Sequence, residues 1–250
     1  MVEVIVGFLI AAGVGLTGVG AGSLMAPVLM LFFHVPPAAA VGTALAFSAV
    51  IKLTIAPVYV LRKQIHYKTL ARLCGGGIPG VLAGVLAMNR LDAKNHRGTL
   101  FLVIGGLVAS MAVYNLIRTL SRSTHSRPMQ DRSRWLPLIA AGIGSEVGFS
   151  SAGAGALGSV ALLNLTPLSP AQVVGTDVTF GLALSLIGGG IHFSAGHYQS
   201  AILIRLIAGG IFGALIGANL LSVLPSRPLR VALSAWLTFM GAQLCWQAFG

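Results

Sequence analysis

Four ionisable side chains within the apolar stretches of this 250-residue chain could take part in chemistry. Lys52 lies mid-stretch, Glu146 lies in a glycine-rich segment, and Asp177 and His192 lie near the start and end of another stretch. A charged side chain at the centre of a membrane helix costs about 2.5–3.5 kcal/mol on insertion scales. Lys52 could therefore be kept to attract an anion, while Asp177, Glu146 and His192 could exchange protons. The structural alternatives are a Lys52–Asp177 pair, a snorkelling lysine and a packed histidine.

Two glycine-rich segments could bind an anion through backbone groups. They are Gly20-Ala21-Gly22-Ser23 and Gly153-Ala154-Gly155-Ala156. A helix that restarts after such a break exposes N–H groups and the positive end of its dipole. The alternative is close helix packing by small residues. The candidate substrate-binding residues are these glycines, nearby hydroxyls and the buried lysine: Gly20, Gly22, Ser23, Thr43, Lys52, Ser150, Ser151, Gly153, Gly155 and Thr176.

The composition places these residues in a membrane protein. Charged residues make up 8% of the chain, hydrophobic residues 56%, and the mean hydropathy is +0.89. A soluble domain carries about 25% charged residues, and disordered chains are polar, so both classes are excluded. The net charge of +11 comes from basic residues at the ends of apolar runs, which does not suit a nucleic-acid surface. No His/Cys/carboxylate cluster has metal-ligand spacing, and we expect no cofactor.

Eight apolar runs predict an all-α polytopic membrane protein with about eight transmembrane helices. Continuous apolar runs favour helices, because lipid leaves every backbone polar group to be satisfied internally. The first and fifth runs exceed the roughly 20 residues that a span needs and are dense in glycine, so we predict a broken helix in each. The runs cover about 2–33, 38–61, 69–88, 98–120, 135–165, 171–195, 200–224 and 229–249.

The chain also resembles itself at an offset of 133 residues. This offset places Gly20–Leu24 on Gly153–Leu157 and Val41-Gly42-Thr43 on Val174-Gly175-Thr176. We therefore predict two homologous four-helix repeats, 1–120 and 135–250, joined by a basic cytoplasmic linker, 121–134. Four spans per repeat would relate the halves by an axis along the membrane normal. An inverted repeat becomes possible if the long first runs re-enter the membrane instead of crossing it.

Basic residues predict the orientation. With eight spans, the N-terminus, residues 62–72, the linker, Arg205 and the C-terminus share one side, which holds most of the basic residues. The positive-inside rule then places both termini in the cytoplasm.

These motifs resemble the TauE/SafE sulfite exporter family. The order of the Gly-rich helix, the Val-Gly-Thr helix and the Gly-x-x-x-Gly helix occurs twice and covers nearly the whole chain. His66-Tyr67 and His197-Tyr198 stand where the family often has Asp-Trp-like pairs. The resemblance implies a permease for small sulfur-containing or organic anions, such as sulfite or sulfonates, in a bacterial inner membrane.

The leading hypothesis is therefore a secondary transporter, coupled to protons, with a small anion as substrate. Its other partners would be protons and the lipid bilayer, with a homodimer possible and nucleic acid not expected. Duplicated halves with interrupted helices at matching positions are typical of such transporters. The alternatives are a membrane-embedded enzyme and a structural membrane subunit. The sequence lacks the G-x-S-x-G and H-E-x-x-H motifs, so we expect no enzymatic activity.

Overall fold

The computed structural model describes residues 1–17, 20–93, 97–120, 132–153, 155–220 and 226–248. These residues form helices and connecting turns, with no strand among them. Residues 121–131 of the predicted linker, together with Gly18 and Ala154, lie outside this part of the chain. The helices are α1 (Val2–Thr17), α2 (Ala21–Phe32), α3 (Pro37–Leu61), α4 (Tyr67–Ala93), α5 (Arg97–Leu120), α6 (Leu136–Ser150), α7 (Ala156–Leu165), α8 (Pro170–Ser194), α9 (Ser200–Leu220) and α10 (Ser226–Gln247).

Five of the described helices are long and apolar enough to cross a membrane. These are α3, α4, α5, α8 and α9. Two shorter apolar helices are Val2–Val14 and Ala21–Phe32. The chain is thus an all-helical integral membrane protein, as its composition predicts.

The predicted breaks in the first and fifth runs are confirmed. The first run forms α1 and α2, which are separated before Ala21. The fifth run forms α6 and α7, which are separated by residues 151–155. At 1.5 Å per residue, the 15 residues of α6 and the 10 of α7 are each shorter than the roughly 30 Å hydrocarbon core.

Glycines set the pairing of α4 with α6 and of α1 with α9. In each pair, a Cβ on any of three glycines spaced four residues apart would overlap a carbonyl oxygen of the other helix. In the first pair Gly76 lies at Pro137, Gly80 at Ala141 and Gly84 at Ser145; in the second Gly209 lies at Val4, Gly213 at Phe8 and Gly217 at Ala12. The residue numbers rise together along both helices of a pair, so the two helices of each pair are parallel.

By contrast, α3 and α8 run in opposite directions. Gly42 packs against His192, and Leu45 packs against Gly188. Further along α3, Lys52 donates a hydrogen bond to Ser185. The numbers rise in α3 as they fall in α8. The helices α5 and α10 are also antiparallel, since Gly98 lies at Ala248 and Gly105 at Gly241.

These pairings define two ends of the bundle. At the first, Glu3 pairs with Arg205 at 3.0 Å, and Asp92 lies 3.7 Å from His197. We call this the Glu3 end. At the opposite end, Arg72 donates a hydrogen bond to Ser133, and Gly175 packs against the carbonyl oxygen of Gln64. We call this the Arg72 end.

Each broken run begins and ends at the same end of the bundle, the first at the Glu3 end and the second at the Arg72 end. The backbone N–H of Arg132, just before α6, donates to the carbonyl oxygen of Leu165 at the end of α7 at 3.0 Å. Likewise, α1 starts at the Glu3 end, and α3 starts there too, with Gly42 against His197. Each broken run therefore forms a helical hairpin.

This arrangement corrects the predicted grouping of the basic residues. The sequence places residues 62–72 on the same side as the N-terminus, but Arg72 and Glu3 lie at opposite ends of the bundle. The error has a physical origin, because hydropathy measures the length of an apolar run and not whether the chain turns back inside it.

Candidate functional site

The tips of the two hairpins meet inside the bundle. Gly22, in the first turn of α2, lies so close to Ser151 that a Cβ there would overlap both the hydroxyl and the carbonyl oxygen of Ser151. Ser151 is 5% exposed and has a φ of 62°. Ser151 is the C-cap of α6, and this left-handed conformation ends the helix. The two helix breaks that the sequence indicates therefore lie against each other.

Hydroxyls of the predicted binding set shape these tips. Ser23 Oγ donates to the carbonyl oxygen of Gly20 at 2.6 Å. Ser150 Oγ donates to the carbonyl oxygen of Glu146 at 2.9 Å and accepts from the backbone N–H of Ala152 at 3.2 Å. Ser151 Oγ differs, because within the described residues it is buried without a hydrogen-bond partner.

Asp177 reaches the second tip from α8. It is 3% exposed, and its Oδ2 accepts a hydrogen bond from Ser159 Oγ at 2.6 Å. Its Oδ1 occupies the space that a Cβ on Gly158 would need. Ser159 and Gly158 belong to the first turn of α7, where backbone N–H groups and the helix dipole favour a negative charge. The carboxylate therefore lies at the amino end of α7.

Glu146 lies at the same tip. Its Oε2 is 3.0 Å from the position of a Cβ on Gly153, whose φ is 87°. The backbone N–H of Gly153 lies 3.2 Å from Met111 Sδ on α5. The second tip thus brings together two of the three residues that the sequence nominates for proton exchange.

Lys52 is buried between α3 and α8. It is 6% exposed, and its Nζ lies 3.3 Å from Ser185 Oγ, which in turn donates to Ser48 Oγ at 3.4 Å. Lys52 and Ser185 are 133 residues apart, so they occupy matching positions of the two halves. Among the described ion pairs, none joins Lys52 to Asp177. The described hydrogen bond of the ammonium group is thus to a neutral hydroxyl, and Asp177 acts on Lys52 through longer-range electrostatic attraction and not through an ion pair.

His192 lies apart from the tips, toward the Glu3 end. It is fully buried, and its Nε2 is 3.4 Å from the carbonyl oxygen of Gly148. Its ring centroid is 6.0 Å from that of His197, which lies beside Asp92.

Thr43 and Thr176 also lie apart from the tips, at opposite ends of the α3–α8 pair. Thr43 Oγ1 accepts from the backbone N–H of Gln199 at 3.0 Å, and Thr176 Oγ1 accepts from that of His66 at 3.0 Å. Each hydroxyl holds the loop that follows the matching helix of the other half. Their substrate-binding role stays a prediction, and loop anchoring is the role that their contacts support.

Sequence reasoning missed several partners in this site. Ser159 and Ser48 carried no signal, because a serine in an apolar helix is common. Ser185 could have been found, since the 133-residue offset places it on Lys52. Among the described residues, no three His, Cys, Asp or Glu side chains lie close enough together to hold a metal ion.

Comparison with known proteins identifies the family to which this arrangement corresponds. The family model described as sulfite exporter TauE/SafE matches residues 4–244. Two Bacillus subtilis proteins are similar over nearly their whole length. The probable membrane transporter protein YjnA is 27% identical over 96% of this chain and 98% of its own. The probable membrane transporter protein YdhB is 25% identical over 93% and 95%. No solved structure matches the chain.

Proposed function

The chain belongs to the sulfite exporter TauE/SafE family, a family of membrane transporters and not enzymes, and on that premise we propose that it is a proton-coupled secondary transporter of small sulfur-containing or organic anions. The observation that carries this proposal is the contact of Gly22 with Ser151, where two interrupted helices meet inside the bundle. Interrupted helices at corresponding positions of two halves form the substrate site in many secondary transporters.

The architecture proposed is an inverted repeat with six crossing helices and two re-entrant hairpins. Matching helices support it: α3 and α8 correspond at the 133-residue offset and run in opposite directions, as do α5 and α10. The contacts are also reciprocal. Gly42 packs on the carbonyl oxygen of His197, and Gly175 packs on that of Gln64, which are the same two positions exchanged between halves. This arrangement replaces the axis along the membrane normal that eight spans would require.

The proposed orientation follows from the same contacts. Basic residues gather at the Arg72 end of the described helices, while Arg90, Arg97 and Arg205 lie toward the Glu3 end. Those at the Arg72 end are Arg62, Lys63, Lys68, Arg72, Arg118, Arg132, Arg134, Arg227 and Arg230. The positive-inside rule then places the Arg72 end on the cytoplasmic side of a bacterial plasma membrane and both termini on the outer side.

The buried charges supply the proposed mechanism. Lys52 attracts the anion into the bundle, since its described hydrogen bond goes to a neutral hydroxyl, that of Ser185, which donates in turn to Ser48. Asp177 and Glu146 take up and release the coupled proton at the second hairpin tip, beside Ser159 and Gly153. His192 carries the proton toward the Glu3 end through His197.

Alternating access would come from relative motion of two packed bodies. The α1–α9 and α4–α6 pairs each have carbonyl oxygens pressed against glycines, so each pair moves as a rigid unit. The hairpin tips lie between these units and can face either side in turn.

A flux assay in proteoliposomes tests this function. The purified chain is reconstituted, and uptake of sulfite, thiosulfate and sulfoacetate is followed with and without an imposed pH gradient. We expect saturable uptake of at least one anion that the gradient accelerates. Protein-free liposomes provide the control. Absence of flux for all three anions would overturn the proposal, and flux that ignores the gradient would remove the proton coupling alone.

A further inference from the structure

The two hairpin tips carry unequal charge although their positions correspond. Asp177 and Glu146 lie at the second tip, whereas the matching positions of the first half hold Ala44 and Gly13. The first tip thus lacks a carboxylate of its own at these two positions. This difference bears on where the anion of the proposed transporter binds, and the inference below rests on that function.

The amino end of α7 already holds an anion. Asp177 Oδ2 accepts a hydrogen bond from Ser159 Oγ, while Oδ1 lies at Gly158 and has no hydrogen-bond partner among the described residues. A second anion here would meet like charge at close range and would have to displace a buried carboxylate from these partners.

The amino end of α2 is arranged differently. Its N-cap residue is Gly20, so no side chain caps the helix. Ser23 donates both its backbone N–H and its hydroxyl to the carbonyl oxygen of Gly20. Ser151 Oγ projects from the second tip against Gly22 and is buried without a partner among the described residues. A buried hydroxyl without a hydrogen bond is costly, so its position indicates a ligand.

We propose that the chain binds one substrate anion at the amino end of α2, where Ser151 Oγ and the backbone N–H groups of Ala21 and Gly22 donate to its oxygens, and that Asp177, while ionised, acts as a resident anion that closes the matching end of α7. A small oxyanion suits this place because its oxygens only accept hydrogen bonds. The amino end of α2 is therefore the substrate site, and the amino end of α7 is occupied by the Asp177 carboxylate.

Equilibrium binding to the full-length detergent-purified chain tests the first half of this proposal. The probes are sulfite, thiosulfate and sulfoacetate, each alone. Ser151→Ala should weaken binding of the bound anion about tenfold or more, since it removes a hydrogen bond to a charged group. Ser145→Ala is the matched control on the same helix, because its hydroxyl already donates to the carbonyl oxygen of Gly142. Equal affinities of the two variants would overturn the assignment of the site.

Stoichiometry tests the second half. The wild-type chain should bind one anion, and Asp177→Ala should bind two, because it frees the amino end of α7. Asp92→Ala removes a carboxylate at the Glu3 end and should keep a stoichiometry of one. Two anions on the wild-type chain, or one on a folded Asp177→Ala variant, would overturn the role of Asp177. If that variant does not fold, the Ser151→Ala comparison still decides the site.

Flux separates this inference from the function on which it rests. Transport by the wild-type chain with unchanged binding in Ser151→Ala would reject the site and keep the transporter. A wild-type chain that neither binds nor transports any of the three anions would overturn both.

Discussion

Lys52 is buried inside the bundle and donates to the hydroxyl of Ser185, which donates in turn to Ser48. Lys52→Ala should reduce anion uptake in proteoliposomes about tenfold or more, because a charge-assisted contact to the anion is lost. The matched control is Lys68→Ala, which removes an exposed lysine at the Arg72 end. Equal uptake by the two variants would leave Lys52 with a structural role only.

Asp177 and Glu146, the two proposed proton carriers, differ in how firmly they are held. Asp177 bonds to Ser159 at 2.6 Å, whereas Glu146 lies against Gly153. Asp177→Asn should abolish acceleration of uptake by a pH gradient while allowing exchange of labelled for unlabelled anion, since a neutral amide cannot carry the proton. Glu3→Gln is the control, because Glu3 pairs with Arg205 at the surface. Retained acceleration in Asp177→Asn would move proton coupling to another group.

Several residues of the candidate site could be predicted from residue type alone. Buried charges are expensive in lipid, so Lys52, Asp177 and Glu146 could be singled out. The places of Thr43 and Thr176 could not, because their roles depend on loops that approach from the other half of the chain. No local pattern records such a long-range contact.

At the scale of helices, packing depends on glycines whose neighbours are main-chain atoms. Gly76 and Gly75 are adjacent in α4, but a Cβ on Gly76 would overlap the carbonyl oxygen of Pro137, whereas a Cβ on Gly75 would meet nothing within 4 Å. Gly76→Ala should therefore destabilise the protein by about 1–3 kcal/mol through overpacking. Gly75→Ala should be neutral or mildly stabilising, because alanine favours the helix by about 1 kcal/mol.

Thermal unfolding in detergent, read by tryptophan fluorescence, distinguishes these two variants. A lower midpoint for Gly76→Ala and an unchanged or higher midpoint for Gly75→Ala would support the packing of α4 against α6. A similar midpoint for both would contradict that packing. The same comparison with Gly213→Ala, whose Cβ would overlap the carbonyl oxygen of Phe8, examines the α1–α9 pair.

The helix breaks were predictable from the sequence, but the direction of the chain after each break was not. Glycine density and run length indicate an interruption, since a span needs about 20 residues. Whether the second piece continues or returns depends on contacts such as the bond from Arg132 to Leu165. In the proposed architecture, that single reversal in each half changes an even number of crossings into an odd number and so inverts the repeat.

For the whole molecule, the hairpins decide which loops share a side of the membrane. Eight crossings would place residues 62–72 on the side of the N-terminus. Six crossings with two re-entrant hairpins place them opposite, as the pairing of Glu3 with Arg205 and of Arg72 with Ser133 requires. The two arrangements therefore differ in an observable way, which is the relative accessibility of the loops.

Cysteine labelling in intact bacterial cells tests this topology. Lys68→Cys and Arg90→Cys, both at exposed positions, are made in a background in which Cys74 and Cys245 are replaced by serine. A membrane-impermeant maleimide should label Arg90→Cys from outside and Lys68→Cys only after permeabilisation, because the basic Arg72 end remains in the cytoplasm. The reverse pattern would overturn the orientation and keep the opposite placement of the two positions. Labelling of both from one side would reject the inverted arrangement itself, since α4 carries the two positions at its opposite ends.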